Sequence, residues 1–176
     1  VRVSGAKIKT LISSAEIDTR ILELAKEISA QYGEEKPLLV GVLKGSVFFL
    51  SDLARALGDG YPIDFLAVSS YDGTESRGNV KINMDLASDI RGRHVLIVED
   101  IVDTGMTLSA LLEMLRTRDP ASLRVVTLLF KPQSYRGDHP IEFIGFSIPS
   151  DFVVGYGMDL DEDFRNLPYV GIVERL

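Results

Sequence analysis

Cysteine is absent from this chain of 176 residues, which excludes disulfides and thiolate chemistry and agrees with a reducing compartment. No run approaches the roughly 18 apolar residues of a membrane span, and no basic segment followed by an apolar stretch marks an export signal. A cytoplasmic location without membrane partners is therefore expected, and an opening on Val1 rather than Met points to a trimmed start. Positive charge is also scarce. Lys and Arg number 19 against 26 Asp and Glu, for a net charge of -7. A nucleic-acid surface needs a basic field, so no such partner is expected, although a small anion needs only local donors. Of the two histidines, His94 precedes an apolar run and His139 precedes a proline, and both read as structural or solvent-facing. The chain has no H-E-x-x-H, no G-x-S-x-G and no Walker A spacing, so zinc-peptidase, serine-hydrolase and P-loop readings lack support.

An apolar share of 45% and a charged share of 26% suit one globular domain spanning 1–176. Its elements alternate. Ser13 to Glu16 forms a capping box, and Ile17, Ile21, Leu24 and Ile28 keep helical spacing. Pro37–Leu43 is a buried strand and Val47–Leu57 a helix. Ile63–Ser69 is a second strand, and Val80–Leu86 alternates weakly, as an exposed hairpin partner would. Leu123–Phe130 and Glu142–Ile148 are further strands, with a short possible one at Val170–Val173. Strands alternating with helices predict an α/β fold: a doubly wound, mostly parallel sheet flanked by helices. The polar, glycine-containing stretch Asp72–Asn79 reads as a flap or as a plain hairpin tip.

The most informative run is His94 to Thr107. The apolar strand Val95–Val98 gives way to Glu99 and Asp100, then to the turn Asp103-Thr-Gly-Met-Thr107 and a helical pattern from Leu108 to Leu115. Carboxylates at the tip of a parallel strand sit where open α/β sheets bind ligands. The turn opens a helix whose free N–H groups favour phosphate. Amides for a phosphate beside acids for hydroxyls or a metal suggest a sugar phosphate. Read blandly, the acids are a solvated strand end and Thr104 or Thr107 is only a helix cap.

Other strand tips carry charge too. Lys44-Gly45-Ser46 ends one strand and Lys131-Pro132 another; each lysine is an anion ligand or a solvated end. Phe152-Val153-Val154 reads as core on its own, and Asp159 with Arg165 as an ordinary ion pair.

Taken together these residues resemble a known family. Val95 to Thr107 is similar to the phosphoribosyl-pyrophosphate motif of purine phosphoribosyltransferases. Val42-Leu-Lys-Gly45, Ser70-Tyr71, Leu129-Phe-Lys131, Phe143–Pro149, Phe152–Tyr156, Asp159, Phe164-Arg165 and Leu167-Pro-Tyr169 fall in the order seen in hypoxanthine-guanine phosphoribosyltransferases. The resemblance implies the type I phosphoribosyltransferase fold, with a flap at about 70–82 and a purine-side hood from the N- and C-terminal segments. It implies transfer of the phosphoribosyl group from phosphoribosyl pyrophosphate to N9 of hypoxanthine or guanine, giving IMP or GMP and pyrophosphate. It implies Mg2+ and a homodimer or homotetramer.

The same resemblance assigns roles. Asp103, Thr104, Gly105, Met106 and Thr107 hold the 5-phosphate, and Glu99 and Asp100 the ribose hydroxyls or the metal. Lys44, Gly45 and Arg165 meet the pyrophosphate, at a junction where a non-proline cis peptide is expected, and Asp159 contacts metal. Lys131, Phe152, Val153 and Asp159 hold the purine. Asp103 handles the N7 proton. Ser70 and Tyr71 begin a closing loop. The run Pro132–Arg136 departs from the family pattern, in which an Arg stands nearby, and leaves the role of Arg136 open. Two alternatives have less support. A non-catalytic regulator on this fold needs a basic face, against the charge of -7. An adenine or pyrimidine enzyme lacks a use for Lys131 with Phe152 and Val153.

Overall fold

A computed structural model describes residues 7–70 and 80–174. Chain order is β1 (Lys7–Ile12), α1 (Ser14–Tyr32), β2 (Leu38–Leu43), α2 (Val47–Leu57), β3 (Ile63–Ser70), β4 (Val80–Met84), β5 (His94–Val102), α3 (Met106–Arg116), β6 (Ser122–Phe130), β7 (Phe143–Ser147), β8 (Val153–Val154) and β9 (Val170–Glu174). Six strands form one sheet in the order β4-β3-β2-β5-β6-β7. All its neighbours are parallel except β4, which runs antiparallel along β3 at the edge. The expected doubly wound sheet and its hairpin partner are thus present. Among the described residues, no helix is long and apolar enough to cross a membrane.

Side-chain alternation along the strands builds two cores, as a period of two requires. Leu39, Leu96, Val98, Val126 and Leu128 pack with α1 and α2 on one face. Leu38, Val40, Val42, Val95, Ile97 and Val125 pack with α3 on the other. Helix α1 begins with the capping box: Ser13 Oγ accepts from Glu16 N while the Glu16 carboxylate accepts from Ser13 N at 2.8 Å. Its spaced residues Ile17, Ile21, Leu24 and Ile28 are buried.

One expectation needs correction. Strand β5 does not stop at Val98 but runs on to Val102, so Glu99 and Asp100 lie inside it. The alternation inverts across these two acids: beyond them Ile101 joins the α1/α2 core and Val102 the α3 core. An apolar run ending in charge looked like a strand end, but main-chain pairing with β6 continues beyond the acids at Ile101 and Val102. The possible C-terminal strand is present as β9, outside the main sheet. It lies between β1 and β8 in a separate antiparallel sheet of three strands. This small sheet joins the two ends of the chain. Strand β1 itself had no sequence signal, because its side chains are mostly exposed and do not alternate cleanly.

Strands β2 and β5 are neighbours, yet β3 follows on one side and β6 and β7 on the other. The direction in which strands are added to the sheet therefore reverses between β2 and β5. Open α/β sheets bind their ligands at such a switch point, outside the carboxyl ends of the strands.

Candidate active site

Two adjoining cavities open at this switch point. The first, about 240 Å³, is lined by Val42 and Val68, by Glu99, and by the turn Asp103, Thr104, Gly105 and Thr107. The second, about 260 Å³, is lined by Asp100, Lys131, Phe152, Val153, Met158 and Asp159. Ile101 and Asp103 line both. Asp103 thus stands on the ridge between a lobe walled by a helix-opening turn and a lobe with one exposed aromatic face.

The turn is built differently from a side-chain cap. The N-cap of α3 is Gly105, at φ 78°, and no side chain caps the helix. Thr104 Oγ1 makes only a long contact of 3.5 Å with Met106 N. The bland reading of Thr104 or Thr107 as a helix cap therefore does not hold, and the helix starts two residues before Leu108. A positive φ suits glycine, and a Cβ at Gly105 would lie 2.3 Å from the Tyr135 ring. The first-turn N–H groups remain available for an anion.

The two acids of β5 are not a solvated strand end. Glu99 is 8% exposed. Burial holds its carboxyl well above the ordinary range, and Asp100 adds to the effect. Burial likewise pushes Asp100 up to about 6, against backbone N–H groups and Arg165, which pull it down. Buried acids disfavour their charge unless a cation or a donor arrives. Among the described residues no group of three acids or histidines forms a ready metal cage. Glu99 faces the first lobe, whereas Asp100 and Asp159 face the second. The donor set still fits magnesium, which takes one or two carboxylates together with substrate phosphates rather than an all-protein cage.

Lys131 is buried rather than a solvated end, at 6% exposure. Its Nζ donates to Asp103 Oδ2 at 2.8 Å. Phe152 is 55% exposed beside it, while Val153 and Met158 are buried. A flat apolar face, a buried ammonium and an acid on one wall suit a planar heterocycle with a polar edge.

The residues expected on the pyrophosphate side also converge. The Leu43–Lys44 peptide is cis. A Cβ at Gly45 would lie 1.7 Å from Asp100 Oδ2, and a Cβ at Gly157 would lie 1.9 Å from Gly45 O. The two glycines thus let the β2 tip, Asp100 and the loop after β8 close on one another. Arg165 forms an ion pair with Asp159 Oδ1 at 2.7 Å and donates to Gly157 O at 2.7 Å. Lys44 is exposed and pairs with Glu162 at 3.1 Å. Met158, Glu162 and Gly157 gave no sequence signal as site residues; only their closeness to Asp159 could have suggested them. Ser70 ends β3, whereas Tyr71 and the flap through 79 lie outside the described residues. His94 is structural: Nδ1 meets Ser122 Oγ at 2.7 Å and Nε2 meets Glu35 at 2.8 Å.

A helix-opening turn suited to phosphate and an aromatic slot suited to a planar base, sharing one acid, fit a site that joins a base to a sugar phosphate. In accord with this, residues 12–163 match the phosphoribosyl transferase domain, and the chain belongs to that family. Its relatives are more specific. It is 46% identical to the hypoxanthine-guanine phosphoribosyltransferase of Bacillus subtilis, over 94% of this chain and 93% of that one. It is 47% identical to the hypoxanthine phosphoribosyltransferase of Escherichia coli, over 94% and 95%. The hypoxanthine phosphoribosyltransferase of Trypanosoma cruzi, solved with its product IMP, superposes with a TM-score of 0.90 at 41% identity, over 99% of this chain and 97% of that one. The architecture is the type I phosphoribosyltransferase fold.

Proposed function

We propose that this protein is a purine-salvage enzyme that transfers the 5-phosphoribosyl group of phosphoribosyl pyrophosphate to N9 of hypoxanthine or guanine. The products are IMP or GMP and pyrophosphate. The observation that carries the reading is the pair of cavities sharing Asp103, one opening on the helix turn and the other on Lys131 and Phe152. The turn Asp103–Thr107 receives the 5-phosphate through N–H groups and hydroxyls. Glu99 and Asp100 take the ribose hydroxyls. Lys44, Gly45 and Arg165 meet the pyrophosphate. Phe152 stacks on the base, Lys131 donates to its 6-oxo group, and backbone groups at Val153 and Asp159 read the edge carrying N1. Asp103 takes or returns the N7 proton as the C1–N9 bond forms and pyrophosphate leaves. Magnesium, held by Glu99, Asp100 or Asp159 with substrate oxygens, would neutralise the leaving group. Ser70 and Tyr71 open a loop that shields the oxocarbenium-like transition state from water. One domain over 1–176, assembly as a homodimer or homotetramer and a cytoplasmic location complete the reading.

Ligand protection tests it. A ligand at 100 times its Kd stabilises the native state by about 2.7 kcal/mol, which at this chain length raises Tm by about 5–10 °C. IMP, GMP and magnesium phosphoribosyl pyrophosphate are expected to do so, and AMP and UMP are not. Protection by AMP or UMP alone would replace the 6-oxopurine assignment.

A further inference from the structure

The loop after β6 does more than connect it to β7. Lys131 O accepts from both Ser134 N and Tyr135 N at 3.1 Å, which folds the loop back over the phosphate turn. Arg136 N then donates to Thr104 O at 3.0 Å. The side chain of Arg136 does not reach the cavities; its Nη1 donates to Gln133 O and Tyr135 O at 2.8 Å. The ring of Tyr135 is gripped between two glycines. A Cβ at Gly105 would lie 2.3 Å from the ring, and one at Gly137 would lie 2.6 Å from its hydroxyl. Phe130 meets the ring edge-on at 5.3 Å, and Oη donates to His139 O at 2.6 Å.

In a trans peptide the C=O and N–H point in opposite directions. Holding Thr104 O against Arg136 N therefore turns the Gly105 N–H to the other side of the turn, away from the loop. Glycine at φ 78° has no side chain to resist a peptide flip. The restraint comes instead from the Tyr135 ring, which fills the space on the Gly105 Cα. We infer that Tyr135 is a positioning residue for the 5-phosphate: it keeps the Thr104–Gly105 peptide oriented so that the Gly105 N–H serves the phosphate.

This inference rests on the proposed phosphate turn, and the experiment separates the two. Calorimetric titration measures GMP and magnesium pyrophosphate binding to the wild type, Tyr135→Phe, Tyr135→Leu and Tyr135→Ala. Failure of the wild type to bind GMP would sink the functional reading itself. With GMP bound by the wild type, Tyr135→Ala and Tyr135→Leu are expected to lose about tenfold or more, the worth of one hydrogen bond to a charged group. Pyrophosphate affinity should stay within about twofold, because its residues lie on other elements. Tyr135→Phe keeps the ring and should bind GMP nearly as the wild type does. Unchanged GMP affinity in Tyr135→Leu, or equal loss of GMP and pyrophosphate, overturns the inference. Tyr135→Leu keeps apolar volume and supplies the answer if Tyr135→Ala does not fold.

Discussion

Asp103→Asn separates chemistry from architecture, because the ion pair it disturbs is asymmetric. Lys131 has 8% of its side chain exposed and Asp103 has 46%. Removing one member of a fully buried pair costs about 3–5 kcal/mol, and an exposed pair is worth about 0–1 kcal/mol. The half-open Asp103, replaced by an isostere whose oxygen still accepts from Lys131, places the loss at about 1–2 kcal/mol between those limits. For a domain of this size that lowers Tm by about 2–8 °C. Losing a positioned acid–base group should instead cut kcat by about 10²–10⁴-fold, or about 3–5 kcal/mol of barrier. The enzyme should therefore remain folded and nearly inactive. Lys131→Met gives the converse: the stranded acid faces water, Tm changes little, and KM for the base rises. Thermal unfolding and steady-state kinetics on both variants read these outcomes. A folded Asp103→Asn enzyme with wild-type kcat would remove Asp103 from the proton transfer. A larger Tm loss in Lys131→Met than in Asp103→Asn would refute the asymmetry.

Other outcomes follow from particular contacts. Phe152→Ala removes an exposed ring, so Tm should hold while KM for the base rises by about 5-fold or more, the worth of one base stack; an unchanged KM would exclude stacking. Gly157→Ala drives a Cβ into Gly45 O at a φ of 105°, so KM for phosphoribosyl pyrophosphate should rise more than KM for the base; equal KM values would detach this loop from the pyrophosphate side. Asp64 gives a pH test. Burial pushes its carboxyl up, but hydrogen bonds from Phe65 N, Ser88 N and Ala87 N outweigh this and leave it below the ordinary value. A depressed acid stabilises the fold above its unfolded pKa, and that contribution is lost as pH falls through the folded value. Urea midpoints of wild type and Asp64→Asn should thus differ at pH 7 and converge as pH falls below the ordinary Asp value of about 3.9; a constant difference would contradict the sign.

Much of this was legible in the residues. The capping box at Ser13 and the spaced isoleucines of α1 report local physics, and the structure carries them unchanged. Helix α2 was readable for the same reason. What local pattern misjudged was context. Glu99 and Asp100 looked like the end of a strand, since hydrophobicity marks burial and not main-chain pairing. Lys131 looked solvated, because nothing nearby in sequence announces Asp103 as its partner. Strand β1 left no trace, as its exposed side chains are anchored mainly by pairing with β9, far along the chain. The packing of Tyr135 on the turn was unreadable because its partners, Gly105 and Gly137, are defined by the side chains they lack.

Turnover with a panel of bases tests the central claim most directly. The protein is mixed with phosphoribosyl pyrophosphate and hypoxanthine, guanine, adenine or uracil, with magnesium or with a chelator, and nucleotide and pyrophosphate are quantified. Hypoxanthine or guanine should yield equal amounts of IMP or GMP and pyrophosphate only when magnesium is present, and adenine and uracil should yield none. Turnover of adenine or uracil in preference to a 6-oxopurine, or none with any 6-oxopurine, would contradict the account.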